Sequence, residues 1–323
     1  MSDPSLNASS SPLVSESAPF PFPPATPPRE RDWRHVLLFA LTVVSTTLIG
    51  AFHYFSFSLG FNSSAIVRAP VGDVGFYARG LWYSGTVLAI LGCHEMGHYV
   101  ACRYYRVDAS LPYFLPAPLL TGTLGAFIRI RDRIPSKIAL FDIGIAGPIA
   151  GFLIAVPALF FGLAMSTIET LPADFVGMEL GEPLLFKAAS WLMWGKVPEG
   201  MSINLHPMGF AAWFGLLATA LNLFPIGQLD GGHVAYAVLG RRSAVVTIVA
   251  ICVAMGLVFV STSWLVWSIL VILMLVLMGP HHPPTLNDDV PMDRVRLLIA
   301  AFGLFMLIVC FTPAPLETFV MGQ

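Results

Sequence analysis

The stretch Leu81-Trp-Tyr-Ser-Gly-Thr-Val-Leu-Ala-Ile-Leu-Gly-Cys-His94-Glu95-Met-Gly-His98-Tyr-Val-Ala-Cys102 decides the fold. It is long enough to cross about 30 Å of hydrocarbon as a helix, yet it carries two histidines and a glutamate. Histidines at i and i+4 lie on one helix face and can share one zinc ion, while Glu95 is rotated by about 100° and flanks the metal. Ionisable groups are costly in a membrane and mark functional sites. The pattern predicts a metal-dependent hydrolase site.

The composition independently predicts a membrane protein. Hydrophobic residues make up 56% of the 323 residues and charged residues 11%, whereas soluble domains carry about 25% charged residues. The net charge of −2 argues against nucleic acid as a partner. The four cysteines form no CxxC pair, so no disulfide framework is indicated.

Apolar segments long enough to span a membrane recur along the chain, so we expect an all-α polytopic membrane protein with about six to seven transmembrane helices. The segments are 36–57, 81–102, 138–164, 207–226, 244–261, 263–279 and 294–312. Residues 1–35 are rich in Ser and Pro and are predicted to be a disordered cytoplasmic tail. Residues 80–285 are expected to form the core, followed by a loop and last helix in 286–323.

The distribution of Lys and Arg predicts the orientation in the membrane. If the N-terminus is cytoplasmic, four basic groups fall on the cytoplasmic side. They are Arg29, Arg31 and Arg34; Arg103, Arg106, Arg129, Arg131, Arg133 and Lys137; Arg241 and Arg242; and Arg294 and Arg296. The His94–His98 end of its segment then lies near the cytoplasmic face, within the hydrophobic zone.

A third protein ligand is needed, because two histidines leave a tetrahedral catalytic zinc one ligand short. The candidates near apolar segments are Asp142, His206, Asp230 and His233. Asp230 is favoured because Pro225 should break the preceding helix, and irregular backbone at membrane depth is tolerated where it lines a cavity. The alternative is that Asp230 is solvated at a capped helix end.

A proline- and glycine-rich stretch, 112–131, is predicted to be non-helical. Residues 126–131 alternate like a strand, so a short re-entrant β-hairpin near the site is expected. Its unpaired edge could hold an unwound substrate as an added strand. The alternative is a surface loop.

The ordered set of motifs resembles the site-2 protease family of intramembrane zinc proteases. The set comprises His94-Glu95-Met-Gly-His98, Gly122-Thr-Leu-Gly125, Gly144-Ile-Ala-Gly147-Pro-Ile-Ala-Gly151 and Asn222-Leu-Phe-Pro-Ile-Gly-Gln-Leu-Asp230-Gly. The resemblance covers about residues 80–285. The compact form, without a PDZ or CBS domain, is similar to the subgroup that contains plant chloroplast members.

The resemblance implies a role for each matched position. His94, His98 and Asp230 would bind Zn²⁺, and Glu95 would activate the water. Asn222 would lie near the scissile carbonyl, although it could instead tie back the carbonyl that Pro225 frees. The residues Gly122, Thr123, Leu124 and Gly125 would form the substrate-binding loop.

The expected function is that of an intramembrane zinc endopeptidase acting on transmembrane protein substrates in the lipid bilayer. Two alternatives remain open: a divalent-metal transporter that uses the same His/His/Asp site, and a membrane-anchored zincin with a catalytic domain in water. The family implies regulated release of membrane-bound factors. We expect a multi-pass protein of a bacterial cytoplasmic membrane or, alternatively, of a chloroplast membrane.

Overall fold

The computed structural model describes residues 32–61, 68–117, 121–172, 176–266, 268–269, 272 and 285–320. The chain divides into the units Met1–Asp32 and Trp33–Gln323, and the helices and strands belong to the second. Nearly all of the predicted tail 1–35, most of the predicted segment 263–279 and the His281-His282 pair lie outside the described residues.

Helices dominate the second unit, as the apolar segments predict. They are α1 (Trp33–Leu59), α2 (Val74–Tyr104), α3 (Lys137–Ala164), α4 (Leu184–Trp194), α5 (Pro207–Leu223), α6 (Asp230–Leu239), α7 (Ser243–Leu257) and α8 (Arg294–Cys310). Three helical stretches among the described residues are long and apolar enough to cross a membrane: Trp33–Leu59, Lys137–Ala164 and Asp230–Leu257. By this measure α2 is too polar, and α5 and α8 are short at 17 residues each.

Three small antiparallel pairs accompany the helices. The strands are β1 (Tyr113–Pro116), β2 (Thr123–Phe127), β3 (Thr167–Thr170), β4 (Val176–Leu180), β5 (Met201–Asn204) and β6 (Leu316–Val320). The predicted hairpin is β1 paired with β2, with Tyr113 opposite Phe127. The pairs β3–β5 and β4–β6 are strands that the all-α prediction lacked, because each forms only with a partner distant in sequence.

Close helix contacts fix α1 beside α2. A Cβ added to Gly80 would lie 2.2 Å from the Thr47 carbonyl oxygen, so a larger residue would force the helices apart. Near this contact the Thr46 and Ser84 hydroxyls are 2.7 Å apart and hydrogen-bonded. The hairpin is attached to α1 as well, because the Ser45 hydroxyl donates to the Gly122 carbonyl at 2.7 Å.

Helix α3 lies at the centre and packs against α2, α5 and α6. Its Leu140, Phe141, Ala155, Leu159 and Leu163 are almost fully buried. The Ser136 hydroxyl caps its start by accepting from the Ala139 N–H. It also contacts α4 and α8, so its position constrains the residues that the surrounding helices present to it.

The chain between α5 and α6 is broken, as the proline predicts. Helix α5 ends at Leu223, and Asp230 is the first residue of α6. The sequence placed Asp230 after a segment 207–226 and started the next at 244, whereas the helical unit already begins at Asp230. Gly240, with φ +59°, interrupts the helix between α6 and α7, since this backbone conformation suits glycine and does not continue an α-helix.

Candidate active site

The inner face of α2 presents the predicted histidines one helical turn apart. His94 and His98 are buried, and their Nε2 atoms lie 3.2 Å from each other. Glu95 is 7% exposed, with its Oε1 4.0 Å from the His94 Nε2. Three polar side chains are therefore packed together inside an otherwise apolar helix bundle.

Asp230 completes the cluster from the start of α6. Its Oδ2 lies 3.1 Å from the His94 Nε2, and its Oδ1 lies 3.3 Å from the His98 Nε2. The end of α5 and the loop after Pro225 both pack tightly against this helix start, because a Cβ on Gly231 would lie 2.0 Å from the Leu223 carbonyl oxygen and one on Gly232 2.2 Å from the Gly227 carbonyl oxygen. The broken helix thus delivers the carboxylate to both histidines.

The donor set fits a zinc ion. Zinc takes imidazole nitrogen and carboxylate oxygen at about 2.0–2.2 Å, and a tetrahedron of such bonds separates its ligand atoms by about 3.3–3.5 Å. The two histidine Nε2 atoms are 3.2 Å apart, and each lies against a different oxygen of Asp230, His94 against Oδ2 at 3.1 Å and His98 against Oδ1 at 3.3 Å. His94, His98 and Asp230 are therefore positioned to hold one zinc ion with three protein ligands.

Helix α3 sets the orientation of the His98 ring. The His98 Nδ1 lies 2.7 Å from the Ile143 carbonyl oxygen. A carbonyl only accepts, so Nδ1 carries a proton and donates it, which leaves Nε2 as the ring nitrogen that faces Asp230. Gly147 lies against the same ring, since a Cβ there would be 2.0 Å from the His98 Nε2. A metal-ligating histidine commonly donates its other N–H to such an acceptor.

Two further predicted residues lie beside the cluster. The backbone N–H of Ile128, just beyond β2, is close enough to the Glu95 carboxylate to interact with it. The Asn222 Nδ2, in the last turn of α5, lies 3.4 Å from the His94 Nε2. The Leu221 carbonyl, which Pro225 cannot bond, accepts from the Phe224 N–H at 3.3 Å. This contact weakens the alternative in which Asn222 satisfies that carbonyl.

Comparison with known proteins agrees with this geometry. The model of peptidase family M50 matches residues 83–263, more than half of the chain. The chain belongs to peptidase family M50. The match covers α2, the hairpin, α3, α5 and α6, so every predicted site residue lies inside the M50 region. The resemblance to site-2 proteases is thereby confirmed.

Curated proteins similar to the chain include plant proteins. The chain is 31% identical over 70% of its length to "Probable zinc metalloprotease EGY1, chloroplastic" of Arabidopsis thaliana, covering 42% of that protein. It is 29% identical over 74% of its length to "Probable zinc metalloprotease EGY2, chloroplastic" of Oryza sativa subsp. indica, covering 45% of that protein. The chain thus spans less than half the length of these relatives. No solved structure matches the chain significantly.

The predicted M50 substrate loop is held at one end and open at the other. Gly122 has φ +73° and lies against the backbone of Thr46 on α1, and Thr123 is 1% exposed. Leu124 is 67% exposed, and a Cβ on Gly125 would meet no atom within 4 Å. Thr123, Leu124 and Gly125 lie in β2 rather than in a loop, and the chain comes near the M50 metal cluster just after this strand, at Ile128.

The other candidate ligands take different positions. His206 caps the start of α5, at the end of that helix opposite Asn222. His233 lies one turn after Asp230, with its Cβ against Gly144 of α3. Asp142 is bound by Arg296 and Tyr105. Of the candidates among the described residues, Asp230 alone joins both M50 histidines.

Sequence reasoning missed the groups that orient the cluster. The Ile143 carbonyl and the Ile128 N–H are backbone groups, and every residue type offers them, so no residue letter reveals them. Arg296 did carry a signal, since it is a charge at the start of an apolar segment. In the sequence alone, this charge indicates only the orientation of the chain in the membrane.

Proposed function

We propose that this chain is an intramembrane zinc endopeptidase that hydrolyses peptide bonds within or near transmembrane helices of other membrane proteins. One observation carries the proposal. Two buried histidines and Asp230 converge with separations of 3.1–3.3 Å, and Glu95 lies beside them, in a chain of peptidase family M50. The relatives' printed names, probable zinc metalloproteases, support the same reaction and offer no support for metal transport.

Zinc, when bound by His94, His98 and Asp230, supplies Lewis acidity that makes hydroxide available at neutral pH and polarises the scissile carbonyl. Glu95 then has the role of general base and acid: its carboxylate takes a proton from water and gives it to the leaving amine. Burial at 7% exposure keeps bulk water from competing for that proton. The Ile128 N–H orients the carboxylate for both transfers.

Asn222 has the role of stabilising the developing oxyanion. Its amide nitrogen lies 3.4 Å from the His94 Nε2, so an amide N–H can reach a carbonyl oxygen positioned beside the histidines. Such a donor contributes about 3–4 kcal/mol of transition-state stabilisation in other enzymes. The presence of another donor on the Leu221 carbonyl supports this role over a purely structural one.

The hairpin has the role of holding substrate in an extended conformation. β2 pairs with β1 on one side, and its exposed Leu124 and open Gly125 leave room for an approaching chain. A transmembrane helix must unwind before hydrolysis, and strand addition satisfies the backbone groups that unwinding exposes. Because Ile128 contacts Glu95, a strand laid along β2 leads towards the metal cluster.

For the arrangement in the membrane we propose six to seven transmembrane helices with a cytoplasmic N-terminus. Residues 1–35 form a tail, 36–57 the first span, 80–285 the protease core, and 286–323 a loop and the last span. The basic residues between the apolar segments support this orientation. A bacterial cytoplasmic membrane and a chloroplast membrane both accommodate it, and the relatives' names point to the second.

Glu95→Gln tests the proposal, because glutamine keeps the size of the side chain and removes the base. We expect bound zinc to stay stoichiometric, while cleavage of a model transmembrane peptide slows by about 10²–10⁴-fold. Glu199→Gln, at an exposed position, is the matched control and should cleave normally. Undiminished cleavage by Glu95→Gln would contradict the assignment, and zinc flux through reconstituted vesicles would favour the transporter.

A further inference from the structure

A segment beyond the family match wraps the start of α3. We name residues 285–296 the C-terminal strap; the M50 model ends at residue 263. The strap's Leu286 and Asn287 N–H groups donate to the carbonyls of Ile134 and Pro135, at 3.2 and 3.1 Å, and the Lys137 N–H donates to the Asn287 carbonyl at 3.4 Å. The strap therefore holds the backbone that leads into α3.

The strap also joins two helices that carry site residues. On α6, the Tyr236 hydroxyl donates to the Asp288 Oδ2 at 2.6 Å. At the C-terminal cap of α2, the Tyr105 hydroxyl accepts from the Arg296 Nη2 at 3.4 Å. Helix α2 carries the zinc-binding histidines, and α6 begins with Asp230. One short segment thus connects the helices that must converge for zinc to bind.

The strongest contact is a fork between Arg296 and Asp142. The Arg296 Nε donates to Oδ1 at 2.9 Å, and its Nη2 donates to Oδ2 at 2.6 Å. The two side chains are 26% and 25% exposed, and Tyr105 also donates to the carboxylate. Planar two-point contacts of this kind fix orientation as well as distance.

Asp142 stands directly before the residue that orients a zinc ligand. The next residue, Ile143, accepts the His98 Nδ1 proton at 2.7 Å. One and two turns further along α3, Gly147 and Gly151 lie against His98 and His94. A shift of α3 would therefore move the Ile143 carbonyl together with Gly147 and Gly151, which lie against the histidine side chains. The fork between Arg296 and Asp142 opposes such a shift.

We propose that Arg296 is a positioning residue of the zinc site. By holding Asp142, it fixes the second turn of α3 so that the Ile143 carbonyl directs the His98 Nε2 towards Asp230. The inference deepens the proposed function, on which it rests. Groups that orient metal ligands from behind typically change metal affinity or activity by about 10–100-fold when they are removed.

The test uses the full chain in detergent and compares Arg296→Ala with Arg294→Ala. Arg294 is exposed and lies on the same helical turn, so both variants lose one positive charge from α8. Zinc affinity is measured by competition with a chromogenic chelator, and ligand geometry by the visible absorption of the cobalt-substituted protein. We expect Arg296→Ala to bind zinc about 10–100-fold more weakly with an altered cobalt spectrum, and Arg294→Ala to match the wild type.

Arg296→Lys separates positioning from general stability. Lysine keeps the charge but cannot form the fork, so its zinc affinity should fall between those of the alanine variant and the wild type. In peptide cleavage, kcat should fall while KM stays within about twofold, because the strap does not contact the substrate hairpin in this scheme. Wild-type zinc affinity and cobalt spectrum in Arg296→Ala would overturn the proposal, whatever its melting temperature.

The role of Arg296 can be tested even if the alanine variant is unstable. If Arg296→Ala does not fold, Arg296→Lys, which cannot form the fork, carries the test, and wild-type zinc affinity with an unchanged cobalt spectrum in that variant overturns the idea. The metal readouts also do not depend on proteolysis. A wild-type chain that binds zinc but cleaves no peptide would contradict the proposed function. The effect of Arg296 on zinc affinity and on the cobalt spectrum could still be measured.

Discussion

His98 and His206 are both buried, but their Nδ1 atoms have opposite hydrogen-bonding roles. The His98 Nδ1 donates its proton to the Ile143 carbonyl, and its Nε2 faces His94 and Asp230 at 3.2 and 3.3 Å. The His206 Nδ1 instead accepts the Met208 N–H at 3.2 Å and caps α5. The Nε2 of His98 therefore faces two potential metal ligands, whereas the Nδ1 of His206 accepts a hydrogen bond from the backbone.

The surroundings of the two rings differ in the same way. His206 is enclosed by aromatic rings, with centroids of Tyr54, Phe57 and Trp82 at 5.1–5.7 Å. His98 has a carboxylate and a second imidazole within hydrogen-bonding distance. Both histidines are almost fully buried, so burial does not separate a metal ligand from a structural histidine. The two differ in what the ring nitrogens face: the His98 Nε2 faces His94 and Asp230, whereas the His206 Nδ1 faces the backbone N–H of Met208.

The largest effect is expected from removing the carboxylate of the cluster. Asp230→Ala takes away one of three protein ligands, so zinc should be lost on purification and peptide cleavage should fall to background. Metal content by mass spectrometry checks the first expectation. Treatment of the wild type with a strong chelator should reproduce the loss of cleavage, and added zinc should restore it in the wild type alone.

Glu199→Ala is the matched control for Asp230→Ala. Glu199 is an exposed acid outside the strap, so its removal changes the net charge equally and should leave zinc content unchanged. Stoichiometric zinc in Asp230→Ala would mean that another carboxylate completes the site. In that case the contact between Asp230 and His98 would be a structural one, like the cap that His206 forms on α5.

The sequence predicts the parts of the site that depend on local spacing. Two histidines at i and i+4 share a helix face wherever a helix forms, and α2 places them so. Pro225 cannot donate to the Leu221 carbonyl, and α5 accordingly ends at Leu223. The prolines and the alternation at 126–131 predict a hairpin, which β1 and β2 form, although β2 spans Thr123–Phe127 and ends before most of the alternating residues.

What the sequence could not predict depends on contacts distant in the chain. Asp142 and Arg296 are 154 positions apart, and each alone is only a charge at a helix start. The acceptor for His98 is the carbonyl of Ile143, whose side chain gives no hint of that role. The early start of α6 at Asp230 was missed because Gly231 and Gly232 disfavour helix, whereas packing against the loop after Pro225 requires residues that small.

A smaller effect is expected at the edge of the cluster, where Asn222 contacts His94 but is not a zinc ligand in the proposed site. Asn222→Ala should leave zinc bound and lower kcat by about 10²–10³-fold, the usual cost of removing one oxyanion donor. Asn222→Asp keeps the size of the side chain and removes the amide N–H, so it should be similarly slow. Single-turnover cleavage of a model transmembrane peptide measures both variants.

The contrary outcome for Asn222 is also informative. If both variants cleave normally but melt at a lower temperature, the side chain serves the break after Leu223 rather than the reaction. The contact at 3.4 Å with the His94 Nε2 would then be a consequence of packing. That result would place Asn222 with His206, among polar residues that support the fold.

The smallest effect is expected at His206, and it is the sharpest check of the distinction between the two histidines. His206→Ala removes the bond to the Met208 N–H, which should cost about 1 kcal/mol of unfolding free energy. His206→Asn can restore a capping acceptor and should recover most of that loss. Neither variant should change zinc content or kcat, because the ring nitrogens of His206 face a helix end and aromatic rings. Loss of zinc from His206→Ala with the fold intact would show that the groups facing the ring nitrogens are not what separates these histidines.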